Sequence, residues 1–328
     1  MNISYSMDIV TAQNKKYTVT KALTQLILIE NDGEIAQRVN FNLVNLSVDG
    51  SNLSKIISIR DRVYIYAQLG DQKEEVFRGY IWNAIDDDYR QRELSFVAYD
   101  NLIYLQKSQD YVFYKSGMGT KTIASDLCKS WGIKLKYTYG SITHGKLSLR
   151  GNLADIFLSD LIDKVKRKTG KKGVMRSEKD IVYIKPVGSN NTTYTLFTGE
   201  RGTTTRTRKE EEMPEVTKIV ILGSENDEKR AKVKVTLENN TKKYGTIQKI
   251  ETSASDTNYE DVKKESNEIL KEKSVIKKSY SYEGIDIPFI HKGDKVTINA
   301  NNINGNYIVK SISHDALDKK MSMELEYE

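Results

Sequence analysis

Histidines are the residues best placed to move protons or ligate metals near neutral pH, and this chain has three, His144, His291 and His314. None stands in an H-E-x-x-H or H-x-H spacing, so each reads as a surface or turn histidine and no metal site is expected. Residues 116–122, Ser-Gly-Met-Gly-Thr-Lys-Thr, fall between an aromatic strand and a helix, where a phosphate loop would lie. Such a loop needs Gly directly before its Lys, and Thr120 takes that position, so a plain helix entry is the better account. Asp86-Asp87-Asp88 lacks the alternating ligand spacing and glycine of a calcium loop. Adjacent residues of an extended segment point to opposite sides, so a solvated turn is expected. Cys128, the one cysteine, rules out an internal disulfide framework and a cysteine zinc site. It lies on an apolar stripe with Leu127 and Trp131 and reads as core. Carboxylate pairs for glycoside hydrolysis are assembled by the fold, so 45 acidic residues carry no signal in themselves. The sequence thus assigns no catalytic, cofactor-binding or metal residue.

The charge balance sets further bounds. The 51 basic and 45 acidic residues give +6, and the signs interleave along the chain. That argues against a dedicated nucleic-acid binder. The basic runs at 107–115 and 164–172 read as solvated faces, the second as the polar end of an amphipathic helix whose cations suit the helix dipole. Residues 199–215, GERGTTTRTRKEEEMPE, form a polar connector with segregated charge, a subunit contact or a bare linker. No apolar run approaches twenty residues, so no transmembrane helix is expected. The first residues, MNISYSMDIVT, lack the build of a signal peptide, which places synthesis in the cytoplasm.

The elements around these residues change period along the chain. In the first hundred residues, short alternating runs at 34–44, 62–69, 76–84 and 93–99 suggest a barrel or sandwich, with Asn31-Asp32-Gly33 as a turn. A helix over 120–132, a strand at 133–139, a helix from an Asn152 cap to about Lys168 and a hairpin over 174–185 then make an α/β module. β structure resumes at 216–222 and 231–237. One further helix is signalled by a Thr257/Glu260 capping box and a stripe of Tyr259, Val262, Ser266, Ile269 and Lys273. Strands at 295–299, 305–313 and 320–327 close the chain.

The two ends echo each other. Asp61-Arg62-Val63-Tyr64-Ile65, Phe77-Arg78-Gly79-Tyr80-Ile81 and Leu94-Ser95-Phe96 follow the same order as Gly293-Asp294-Lys295-Val296-Thr297-Ile298, Gly305-Asn306-Tyr307-Ile308 and Met321-Ser322-Met323-Glu324-Leu325. A divergent duplicated β domain split by an α/β insert is the economical reading. The fold expected is mainly β (α+β): a barrel at 1–104, an α/β insert domain at 105–198, and a second barrel with a flanking helix at 199–328.

These segments resemble the XkdQ/YqbQ family of phage tail hub proteins, related to the central hub of contractile tails and the late-control D proteins. The resemblance is carried by Asp61-Arg62-Val63, Phe77-Arg78-Gly79-Tyr80-Ile81 and Ala98-Tyr99-Asp100-Asn101 before Leu102-Ile103-Tyr104-Leu105. Behind them stand Tyr244-Gly245, Lys292-Gly293-Asp294, Gly305-Asn306-Tyr307-Ile308-Val309 and Ser313-His314-Asp315. It implies two tail-tube-like barrels, each with a flanking helix, although only one convincing helix is visible for the two. It further implies a homotrimeric, pseudo-sixfold ring between a hexameric tail tube and a trimeric central spike in the baseplate of a phage or bacteriocin tail. No catalytic residue or cofactor is implied, and neither membrane insertion nor specific nucleic-acid binding is expected. A cell-wall hydrolase, which needs a deep pocket with an acid of raised pKa, and a binding module built on the insert are the competing classes.

Overall fold

Strict alternation makes a strand wherever one face can be buried. In Arg62–Leu69 the side chains of Val63, Ile65 and Ala67 are fully buried while Tyr64 and Tyr66 stay half-exposed. The computed structural model describes residues 2–86, 92–197, 205–223, 231–252, 259–300 and 302–328. Asp87, Asp88, Thr257 and the start of the connector lie outside them. Strands account for 50% of the structure and helices for 19%, so the mainly β expectation holds.

The repeat seen in the sequence has a topological counterpart. Arg62–Leu69, Gln72–Asp86 and Glu93–Tyr99 form an antiparallel meander, and Arg38–Val44 pairs with its third strand. Lys295–Asn299, Asn304–Asp315 and Lys320–Tyr327 form another, whose third strand pairs with Lys277–Ile285. Both meanders break register at the same place, between Ile81 and Asn83 in the first and between Val309 and Ser311 in the second. A bulge re-aims the strand and raises its twist, and its recurrence at matching positions goes beyond a shared hydrophobic pattern. Leu23–Glu30 joins the two meanders, pairing Arg38–Val44 on one side and the end of Asn304–Asp315 on the other. Ile3–Val10 extends the front meander beyond Arg62–Leu69, and Tyr194–Phe197 runs parallel to Lys295–Asn299 in the rear one.

Each meander encloses its own apolar cluster. The front one centres on Met7, Leu26, Phe41, Ile65 and Phe96, with the Phe41 and Phe96 rings stacked at 5.0 Å. The rear one centres on Tyr282, Val296, Tyr307, Met321 and Leu325. Side chains of this size contribute about 1.5–3 kcal/mol each on burial.

The insert has a third core, built around Leu102, Ile123, Leu127, Cys128, Phe157 and Val165. Thr120–Ser130 is helical as expected, and Gly132 ends the turn at φ 66°. Trp131 departs from the expected stripe: it caps the helix, stays 36% exposed and donates from Nε1 to Asp110. Asn152 caps the second helix by accepting from the Ala154 N–H. That helix widens to a π-helix over Ile156–Ile162 before continuing as Asp163–Thr169. The i→i+5 spacing suits a sequence in which Ile156/Leu161 and Phe157/Ile162 are apolar pairs five apart, all four buried. The hairpin of Gly173–Glu178 and Ile181–Pro186 turns on Lys179 and Asp180, both left-handed, as a two-residue turn matching strand twist requires.

Residues 209–279 form a separate compact unit. Its sheet has Lys218–Leu222 at the centre, Val233–Glu238 antiparallel on one side and Gln248–Thr252 parallel on the other. The apolar stripe of the Tyr259–Lys273 helix packs on Ile219 and Ile221 of this sheet. The helix anticipated as a flank for the second barrel therefore has its apolar face taken up within its own unit.

Candidate functional site

The densest cluster of buried charge in the described residues lies where the front meander, the insert and the rear meander meet. Glu30 ends the strand that joins the meanders, and only 4% of it is exposed. Its Oε1 is 2.8 Å from His291 Nδ1, and its Oε2 accepts the Lys292 N–H. The Lys292 ammonium reaches back to the Asn31 and Glu34 carbonyls. From the insert hairpin, Arg176 donates to Asp294 at 2.8 Å, to the Lys292 carbonyl at 3.2 Å and to Glu178 at 2.8 Å. Asp100 caps the turn after the front meander, accepting the Gln37 and Leu102 N–H groups.

The electrostatics follow from this geometry. Burial alone would raise Glu30, but His291, Arg176 and Lys292 outweigh it and hold its carboxyl at about 2. Burial pushes Asp100 up to about 7 against the two N–H groups that favour its charged form. A second buried array ties the first strand to the rear meander. Asp286, fully buried, accepts from Tyr5 and pairs with His314 at 2.6 Å, while His314 Nε2 contacts the Ile290 carbonyl. Burial works against charge on His314, yet the hydrogen bond and charge of Asp286 prevail and raise its pKa.

An acid raised towards neutrality is one mark of a catalytic site, but Asp100 lines an enclosed cavity of about 10 Å³, room for about one water. The larger neighbouring cleft, about 760 Å³, is lined by both signs of charge, with Arg78, Lys136, Arg176 and Lys185 among Glu74, Glu75, Glu178 and Asp294. The arrangement locks three substructures together.

The expectation of surface or turn histidines holds for His291, which heads the turn closed by Asp294 and is partly exposed. It is corrected for His144 and His314, which are buried at 5% and 3% exposure, His314 within a strand. His144 bonds the Thr120 hydroxyl at 2.8 Å. Thr120 also bonds both main-chain groups of Ile142, so the place of a phosphate loop is occupied by internal hydrogen bonds. Cys128 is buried as expected, its thiol pushed up to about 12 by burial. Asp100, Lys292 and Asp294 stand in segments the sequence singled out, but nothing local pairs them with Glu30 or Arg176: bonded partners in the joint lie as many as 262 positions apart.

Among the described residues no helix is long and apolar enough to cross a membrane. Comparison of folds defines the class. The 43 kDa tail protein of prophage MuSo2 from Shewanella oneidensis superposes with a TM-score of 0.68 at 12% identity, covering 99% of this chain and 98% of that one. A tail protein from Neisseria meningitidis MC58 gives 0.65 at 13% identity, covering 98% and 96%. The fold is that of phage tail proteins. Residues 32–328 match the YQBQ-like family, and the chain belongs to it. It is 28% identical over 259 residues, 73% of this chain and 74% of the relative, to the phage-like element PBSX protein XkdQ of Bacillus subtilis strain 168. The chain is thus a YQBQ-like protein with the fold of phage tail proteins.

Proposed function

We propose that this chain is the hub subunit of a phage or bacteriocin tail baseplate, forming a homotrimeric ring that joins a hexameric tail tube to a trimeric central spike, with no catalytic role of its own. The observation that carries the reading is the repeated meander with its matched bulge. A chain with two similar β units gives a threefold ring six similar stations, which is what docking between threefold and sixfold partners requires. On this reading residues 1–104 and 199–328 supply the tube-like stations and 105–198 is the inserted domain. The charged joint then keeps the two stations of one chain at a fixed angle. Its partners are further copies of itself, the tube protein, the spike and other baseplate proteins, and its place is the tail particle assembled in the host cytoplasm.

Light scattering on the purified chain across a concentration series tests the reading. A stable species near three times 37.5 kDa is expected. A chain that stays monomeric and also fails to co-purify with tube and spike proteins would count against the hub.

A further inference from the structure

The interleaving of charge along the sequence conceals a segregation between regions. Residues 105–198 carry 17 basic and 7 acidic side chains, a balance of +10, whereas the rest of the chain carries 34 and 38, a balance of −4. Within the insert, Gln109–Tyr114 and Leu147–Asn152 form a two-stranded ribbon. One of its faces buries Val112, Tyr114 and Leu147 in the insert core. The other presents Tyr111 at 62% and Phe113 at 50% exposure, with Arg150 opposite Tyr111 and Lys146 over the Phe113 ring at 5.5 Å. Exposed aromatics beside cations, on a short ribbon with no further strand paired to it among the described residues, have the composition of a protein contact.

The rear meander carries the opposite chemistry. The face away from its core alternates serine and acid, pairing Ser281 with Glu324 and Glu283 with Ser322 across strands. With Asp32 and Glu34 at its rim it forms a hollow of about 620 Å³ that, among the described residues, no basic side chain lines, although Lys310 pairs with Asp32 beside it and Lys320 ends the same face. Two complementary surfaces of different kind on one chain make a head-to-tail contact, the type that closes cyclic oligomers.

We infer that the Tyr111/Phe113 ribbon of one copy, carrying Lys146 and Arg150, docks on the Glu283/Glu324 face of the next copy. The inference rests on the ring reading and assigns it one interface. The test is the native mass of four proteins: wild type, K146E/R150E, E283K/E324K and the variant carrying all four changes. All four positions are exposed, and circular dichroism checks that each variant folds. Each double variant should raise the half-assembly concentration about 100-fold, because like charges across an interface cost several kcal/mol. The fourfold variant should recover most of that loss. If wild type assembles and the double variants assemble equally well, this interface is wrong while the ring stands. A wild type monomeric at the highest attainable concentration overturns the self-contact. Binding of a labelled single-stranded oligonucleotide by wild type, lost in K146E/R150E with mass unchanged, would give the ribbon to nucleic acid and overturn it equally.

Discussion

Asp61 and Asp294 hold the same station in two copies of one turn. Each accepts the N–H of the residue three before it, Ser58 at 2.7 Å and His291 at 3.0 Å. Each offers its carbonyl to the second strand of its meander, at Ile81 and Val309, and each follows a left-handed residue, Arg60 at φ 72° and Gly293 at φ 85°. Their second oxygens part company. Asp61 accepts the Ala12 N–H within the front meander, whereas Asp294 pairs with Arg176 of the insert. One turn thus remains local while its counterpart holds the joint.

The preceding residues should therefore differ in tolerance. A Cβ on Gly293 would lie 2.7 Å from a Val174 methyl, adding a clash to left-handed strain. G293A is expected to cost about 2–4 kcal/mol in urea unfolding. Arg60 is exposed in the same conformation, and R60G should stay within about 1 kcal/mol of wild type. Equal costs would refute the distinction.

Removing one partner of a buried ion pair strands the other charge. Arg176 and Asp294 have side chains 10% and 8% exposed, so R176M should lose about 3–5 kcal/mol. The double change R176M/D294N, which removes the stranded charge and keeps an acceptor for the His291 N–H, should recover part of it. K15A, which breaks the exposed pair with Asp49, is the control and should leave the melting temperature unchanged.

Stability should peak on the acid side of neutrality. Asp100 titrates at about 7 when folded, against 3.8 as its reference, so the folded state holds a proton that the unfolded chain releases between those values. Stability therefore falls as pH rises across that window. The raised pKa of His314 acts in the same direction: its contribution is whole below 6.5 and fades as pH climbs through the folded value. Glu30 sets the acid limit, since its contribution is present above 4.5 and lost as pH falls towards about 2. Urea midpoints measured from acid to mildly alkaline pH should trace this dome, and D100N should flatten the decline below the folded Asp100 value of about 7.

Cys128, fully buried with a raised pKa, should resist a thiol reagent in the native state and react at once in denaturant. Rapid native labelling would mean that the insert core opens.

What is legible in the sequence follows from burial. Glu93–Tyr99 and Arg62–Leu69 read as strands because one face of each is packed and the other is not. Ile3–Val10 gives no such signal: Met7, Asp8 and Ile9 are buried in succession, which erases the alternation. Lys277–Ile285 is equally silent because its sequence, KKSYSYEGI, is mostly polar. Gln109–Tyr114 reads as an aromatic strand, but with Tyr111 and Phe113 on one face and Val112 and Tyr114 on the other its buried side gives no signal. The duplication is visible because the Asp turns and Gly-aromatic strands are local. The pairing of the joint is not legible, because Glu30, Arg176 and His291 are brought together by topology alone.

A threefold ring between tube and spike has a definite copy number and a definite place in the particle. Electron cryo-microscopy of intact tail particles, with this chain located by a small fused tag, tests both most directly. Three copies are predicted in one ring at the spike end of the tube, each presenting its two meanders as neighbouring stations towards the tube. Six copies, or a position on the fibres or along the tube, would contradict the hub.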